Sequence, residues 1–313
     1  MCANQERNGI RVAALLTICI VLAGCTREPG SAVLTRGALT VACDEAVSPT
    51  MLMEAEAFQQ QYPDSKIRIV VMEGREAVSL FASDSIRVIV LAREFNTEER
   101  NALTAAKVPI EQYHVAESGV AVVGHPKIGR TRLRMSEADS IFNGSVNYWS
   151  AMKPRTLIDA VIGGPNSSTN EVFKTLLLNG KPFAPGATPM ASSGDLVRYI
   201  ARHPGAIGIV GVAWVRGWSD SVSVLPLGGP AYRPDTTAAA GQYYSPAQAY
   251  IFQGYYPAST PVYIYSREVD RDLSLGFIAF ATSAEGQKVV VKSGLVPKTM
   301  PVRLIQLTSE QVK

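Results

Sequence analysis

Residues 157–171 read Leu157-Ile158-Asp159-Ala160-Val161-Ile162-Gly163-Gly164-Pro165-Asn166-Ser167-Ser168-Thr169-Asn170-Glu171. A short apolar run, Leu157 to Ile162, leads into a glycine-rich turn. Beyond it Val172, Phe173, Leu176 and Leu177 recur at helical spacing. Strand, flexible loop and helix start, in that order, are the repeating unit of an α/β fold. Glycine lets the chain turn sharply, and the first amides of a helix have no partner inside it. Those amides, the positive end of the helix dipole and the hydroxyls of Ser167, Ser168 and Thr169 make a cradle for an anion. Asn166 is counted with them as a candidate ligand residue. The competing reading is a capping box, Ser168 with Glu171, that serves only its own helix.

The same rhythm begins at residue 38. Ala38 to Ala42 reads as a strand. Ser48-Pro49 then opens a helix, with Ser as its cap and Pro at its first position, and Met51, Leu52, Ala55 and Phe58 mark the buried face. Tyr62-Pro63-Asp64 ends it. Ile67 to Met72 and Ile86 to Leu91 read as the second and third strands, and Asn96-Thr97-Glu98-Glu99 caps a further helix. Ligands of such folds collect beyond the carboxyl ends of strands. The loop Asp44-Glu45-Ala46-Val47-Ser48, the loop around Arg93 and the Ser-Ser-Thr loop all lie at such ends. They are expected to converge on one cleft.

The N-terminus reads as a targeting segment. Arg7 and Arg11 precede an apolar run from Val12 to Leu22, which ends in Leu22-Ala23-Gly24-Cys25. The run is short for a membrane span and has the shape of a secretory signal. Its end resembles the lipobox of bacterial lipoproteins, which implies a lipid on Cys25 and an anchored chain facing the periplasm. The expected divisions are a signal over residues 1–24 and a lipidated cysteine with its tether over 25–35. Cys2 and Cys19 leave with the signal, so Cys43 remains alone and has no intramolecular disulfide partner. It follows an apolar strand and reads as a small buried residue. His114, His125 and His203 are scattered and lack ligand spacing, so neither a metal nor another cofactor is expected.

Removing residues 1–24 from the 313-residue chain leaves 289, enough for a two-lobed body. Arg7, Arg11 and Glu6 go with the signal, and the remaining basic and acidic side chains leave a net charge of +2. With no basic run, nucleic acid is excluded as a partner class. Hydrophobic residues at 47% against 18% charged indicate a packed core rather than disorder. Motifs for a nucleophile elbow, a P-loop or a dinucleotide site are missing, so an enzyme is not expected.

Further stretches complete the pattern. They are Glu117-Ser118-Gly119-Val120-Ala121-Val122-Val123, Ile141-Phe142-Asn143-Gly144-Ser145-Val146-Asn147-Tyr148-Trp149 and Pro204-Gly205-Ala206-Ile207-Gly208-Ile209-Val210. Gly254-Tyr255-Tyr256-Pro257, Tyr263-Ile264-Tyr265 and Phe277-Ile278-Ala279-Phe280 before Glu285-Gly286-Gln287 follow in order. Together they resemble the PstS-type phosphate-binding lipoproteins, the solute-binding components of phosphate ABC importers, across nearly all of residues 36–300. The resemblance implies a type II periplasmic-binding-protein fold: two α/β lobes, a hinge and an interlobe cleft. It places the crossings near residues 116 and 214. One lobe would comprise 36–116 plus 215–313 and the other 117–214, in a monomer that serves a membrane permease.

The resemblance also implies a site, and the chain departs from it. The family's second-lobe loop carries an Arg before Ser-Gly-Thr; here the tripeptide is Ser167-Ser168-Thr169 and the Arg position falls on Gly163. The third strand ends in Leu91-Ala92-Arg93, keeping only the Arg, and Thr260 stands where an Arg often follows the Tyr-Pro. An Arg supplies a planar bidentate donor to an oxyanion, so its loss matters. Arg75 and Arg93 are candidate replacements, although Arg93 has Glu94, Glu98 and Glu99 as alternative partners and Arg75 has Glu73 and Glu76. Asp44 or Glu45 would accept the proton of a monohydrogen oxyanion; the alternative is a solvated acidic loop. Ser192-Ser193-Gly194-Asp195 opens another helix whose hydroxyls are within reach of the cleft.

Two functions follow. The first is a receptor for phosphate or a similar oxyanion. The second is a protein that keeps the fold but has lost the ligand, acting as an adaptor in an envelope complex.

Overall fold

The computed structural model describes residues 34–218, 221–230, 241–267 and 272–299. The signal, lipobox and most of the tether lie outside the described residues.

Strands β1 (Gly37–Asp44), β2 (Ser65–Met72) and β3 (Val88–Leu91) are followed by the long β4 (Glu111–Gly124). Then come β5 (Asp159–Ile162), β6 (Thr188–Pro189), β7 (Ala206–Gly211), β8 (Ser223–Leu225), β9 (Ser259–Ser266) and β10 (Val296–Pro297). The helices are α1 (Ser48–Gln61), α2 (Gly74–Ala82), α3 (Thr97–Ala105), α4 (Met135–Phe142) and α5 (Ser168–Leu176). After them lie α6 (Ser193–Arg202), α7 (Gln248–Phe252), α8 (Leu273–Thr282) and α9 (Ala284–Lys292).

The ten strands form one sheet in the order β2-β1-β3-β9-β4-β7-β5-β6, with β8 and β10 also on β4. β1 pairs parallel with β2 and β3, and β5 parallel with β6 and β7. Parallel strands are covered on both faces, and the period of two sorts their side chains between two cores. Val41, Cys43, Val88 and Val90 enter one apolar cluster; Ala42, Ile89 and Leu91 enter the other with Phe81, Phe95 and Leu103. Cys43 is a free thiol buried inside the strand.

β4 joins the two lobes. Its residues 111–119 pair with β9 and residues 120–124 with β7. Gly119 lies where the partner changes, and a side chain there would press on the Ala258 carbonyl and the Tyr256 ring. Tyr256 is buried and donates its hydroxyl to the Val120 carbonyl at 2.7 Å. β8 pairs with residues 122–124, and Leu227–Gly228 pairs with Leu133–Arg134.

Two local expectations shift. Val47, not Ser48, caps α1, and Ser48 and Pro49 are its first helical residues. Leu52 is 50% exposed, because the buried stripe runs through Thr50, Met51, Glu54, Ala55 and Phe58. A carboxylic acid occupies the place on that stripe that an apolar residue normally takes.

Candidate ligand-binding cleft

β5 delivers the chain into the Gly163–Ser167 loop, and α5 starts at Ser168 with Ser167 at its cap position. The cap makes no side-chain hydrogen bond, and the Ser168–Glu171 capping box does not form. Asn170 organises the loop instead. Its Oδ1 accepts from the Gly163 amide at 3.1 Å, and its Nδ2 donates to the Gly163 and Gly164 carbonyls at 2.9 and 2.8 Å. Replacing Asn170 by Ala leaves those groups unpaired and should lower the unfolding free energy by about 1–3 kcal/mol, read from the urea midpoint.

A second helix start faces the first. α6 begins at Ser193 and is capped by Ser192, whose hydroxyl accepts from the Asp195 amide at 3.1 Å. Leu196, Val197 and Ile200 bury its apolar face, which holds the helix against the sheet.

Between these helix starts and the end of β1 lies a cavity of ≈ 20 Å³, lined by Ser167, Thr169, Ser192 and Ser193 opposite Asp44, Glu45 and Glu73. It has room for about one water. Its lining among the described residues carries no Lys or Arg side chain.

The carboxylates are held in place by donors. Asp44 is buried, and its two oxygens accept from the Ala46 amide at 3.2 Å and the Ala92 amide at 3.0 Å. Burial raises its pKa, and the Ser168 hydroxyl beside it, together with the Ala92 and Ala46 amides, opposes that rise. Glu45 reaches across the cleft to accept from the Ser193 amide at 2.8 Å and the Ser193 hydroxyl at 2.7 Å. Burial raises its pKa too; Ser193 opposes the rise, while the charges of Asp44 and Glu73 add to it. Glu73 accepts from the Asn166 amide at 2.9 Å, and burial, with Glu76 and Asp44 nearby, shifts it the same way. Among the described residues no group of His, Cys, Asp and Glu is arranged to hold a metal ion.

Of the residues singled out from the sequence, Asp44, Glu45, Ser167, Thr169, Ser192 and Ser193 line the cavity. The others lie elsewhere, each for a local reason. Val47 is core, and Ser48 turns its hydroxyl back to the Glu45 carbonyl at 3.0 Å. Ser168 is fully buried beside Gly74 and the Asp44 carboxylate. Asn166 contributes its backbone amide to Glu73 and its carbonyl to the Arg75 amide.

Neither arginine lines the cavity. Arg93 is buried and grips Glu99 through both terminal nitrogens at 2.7 and 2.8 Å, with Glu171 at 3.2 Å. Arg75 pairs with Glu98 at 3.6 Å and Glu171 at 3.4 Å. Glu171 also accepts from Asn96 at 2.6 Å. Sequence reading passed over Glu73 as a cleft residue, because it looked like the neighbour of Arg75. Met190, Ala191 and Ile209 also escaped notice, since nothing in their local pattern distinguishes them from core.

Two α/β lobes joined by crossing strands, with helix starts facing a cavity between them, are the architecture of the type II periplasmic-binding-protein fold. The chain belongs to the PBP superfamily domain family, whose profile matches residues 30–285. It is 26% identical over 265 residues to the phosphate-binding protein PstS of Bacillus subtilis (strain 168), covering 84% of this chain and 81% of that one. A putative phosphate ABC transporter substrate-binding protein from Clostridium perfringens, solved with bound phosphate, superposes with a TM-score of 0.70. It is 20% identical, over 84% of this chain and all of that one. An ABC-type phosphate transport receptor from Vibrio cholerae superposes at 0.63 with 21% identity, over the same shares. These relatives are binding proteins by name, and at this identity the structures establish the fold. Among the described residues no helix is long and apolar enough to cross a membrane.

Proposed function

We propose that this chain is an extracytoplasmic receptor, lipid-anchored through Cys25, that captures phosphate or a related protonated oxyanion between its lobes for the permease of an ABC importer. It acts by binding, without catalysis or a cofactor, and one chain supplies both lobes. The first lobe is built on β1, β2, β3, β9 and β10, the second on β5, β6, β7 and β8, and β4 runs through both. The observation that carries this reading is the meeting of two helix N-termini and four hydroxyls with the buried carboxyl of Asp44. Helix starts favour an anion, and Asp44 is placed to accept the proton of a monohydrogen oxyanion. Fully ionised sulfate has no proton to donate to it. The present cavity is too small for a tetrahedral oxyanion, so capture requires the lobes to part and close again.

The test is thermal unfolding of the mature chain with phosphate, arsenate, molybdate and sulfate. A ligand at a hundred times its dissociation constant adds about 2.7 kcal/mol. Phosphate and arsenate are expected to raise the melting temperature, and Ser167→Ala with Thr169→Ala to abolish the shift. No shift with any anion at millimolar concentration sinks the receptor reading.

One observation favours the adaptor as a second reading. Both nearby guanidiniums are engaged by glutamates, and the cavity lining bears carboxylates in place of cations. An envelope adaptor would keep the lobes closed without a solute.

A further inference from the structure

Glu45 and Glu73 stand on the first lobe, and their carboxylates sit on the second. The Glu45 oxygens take the Ser193 amide and hydroxyl at the first turn of α6, at 2.8 and 2.7 Å. Glu73 takes the Asn166 amide just ahead of α5 at 2.9 Å. These are the donors that make a helix start attractive to an anion. The fit is close: a methyl group on Gly164 would collide with the Glu73 carboxylate. The backbone beneath is tied across the cleft as well. Trp214 donates to the Glu45 carbonyl at 2.8 Å, and the Arg75 amide donates to the Asn166 carbonyl at 3.2 Å.

We infer that the cleft is self-occupied: Glu45 and Glu73 act as built-in anionic ligands that latch the lobes together, and a solute anion must displace them to bind. The part of this inference that concerns the solute rests on the receptor reading above; the latch itself does not. Every donor engaged by Glu45 or Glu73 is unavailable to the solute while the latch holds. Their removal therefore frees anion donors and, in the same step, releases the lobes. Ordinary interlobe packing would not couple these two effects.

The experiment compares the mature wild-type chain with Glu45→Ala/Glu73→Ala and with Gly164→Ala. The last variant pushes the Glu73 carboxylate aside without removing a charge. Small-angle scattering reports lobe separation, and calorimetry reports phosphate affinity. The wild type is expected to stay compact with or without anion. The double variant is expected to be more extended alone, to compact again with added acetate or phosphate, and to bind phosphate at least tenfold more tightly than wild type. Gly164→Ala is expected to fall between the two. A double variant that stays as compact as wild type without anion overturns the latch. Equal or tighter phosphate binding by wild type overturns the competition. If no protein in the series binds phosphate, the receptor reading falls, while extension reversed by acetate still supports the latch.

Discussion

Arg93→Leu is expected to lower the unfolding free energy by about 3–5 kcal/mol, the range for removing one partner of a buried ion pair. The substitution strands the Glu99 carboxylate, which is 9% exposed and loses two hydrogen bonds at once. Glu171 loses a contact at 3.2 Å in the same step. Arg93→Leu with Glu99→Leu should recover most of the loss, since an apolar pair of similar volume removes the uncompensated charge. Recovery will be incomplete, because Glu99 also closes the capping box of α3 by accepting from the Asn96 amide at 3.0 Å. Urea unfolding at constant m-value measures all three proteins. A single variant within about 1 kcal/mol of wild type would contradict this account of Arg93. On the receptor reading, the single variant should still bind phosphate under conditions where it remains folded, because Arg93 does not line the cavity.

The second large effect belongs to Glu54. Its side chain is fully buried on the core stripe of α1, and neither oxygen has a hydrogen-bond partner. Burial pushes its pKa from 4.5 up to about 9. The folded chain therefore keeps a proton that the unfolded chain releases above pH 4.5. Stability from this group is complete below the unfolded pKa and falls as pH rises toward the folded one. The slope is about 1.4 kcal/mol per pH unit, which amounts to roughly 3 kcal/mol by pH 7. Glu54→Met removes the titration and fills the same space with an unbranched apolar chain. The variant should match wild type most closely near pH 4.5 and exceed it by roughly 3 kcal/mol at pH 7, with a wider gap at pH 8.5. Urea curves at the three pH values give the difference. Asp44, Glu45 and Glu73 titrate in both proteins and cancel in that comparison. Parallel stability profiles would show that Glu54 carries no such penalty.

Residues 157–177 illustrate how far local pattern reaches. Apolar runs, glycines and helical spacing placed β5, the loop and α5, because each signal acts within a few residues along the chain. The same logic located β1, β2 and β3, and Asn96 as the α3 cap. It erred at Leu52, where an ionisable residue, Glu54, on the buried stripe hid the true phase of the helix. Nor did it distinguish Ser168 from its two neighbours. Hydroxyl identity alone does not tell which of three adjacent residues lines the cavity: Ser167, in extended conformation ahead of the helix, and Thr169 do, while Ser168 is buried beside Gly74 and the Asp44 carboxylate.

The sequence by itself determined the α/β class, the strand-end loops that supply the cleft and the departures from the phosphate-binding pattern. Those features are written in short-range periodicity and residue type. Tertiary structure alone decided which charges meet. Glu45 is 148 positions from Ser193, Glu73 is 93 from Asn166 and Asn96 is 75 from Glu171. Partners so distant along the chain are selected by how the lobes pack, and several carboxylates competed for each arginine in the linear sequence. Folding gave Arg93 to Glu99 and Glu171 and placed Glu45 on the start of α6. A set of candidate anion donors thereby became a cleft already occupied by the protein's own carboxylates.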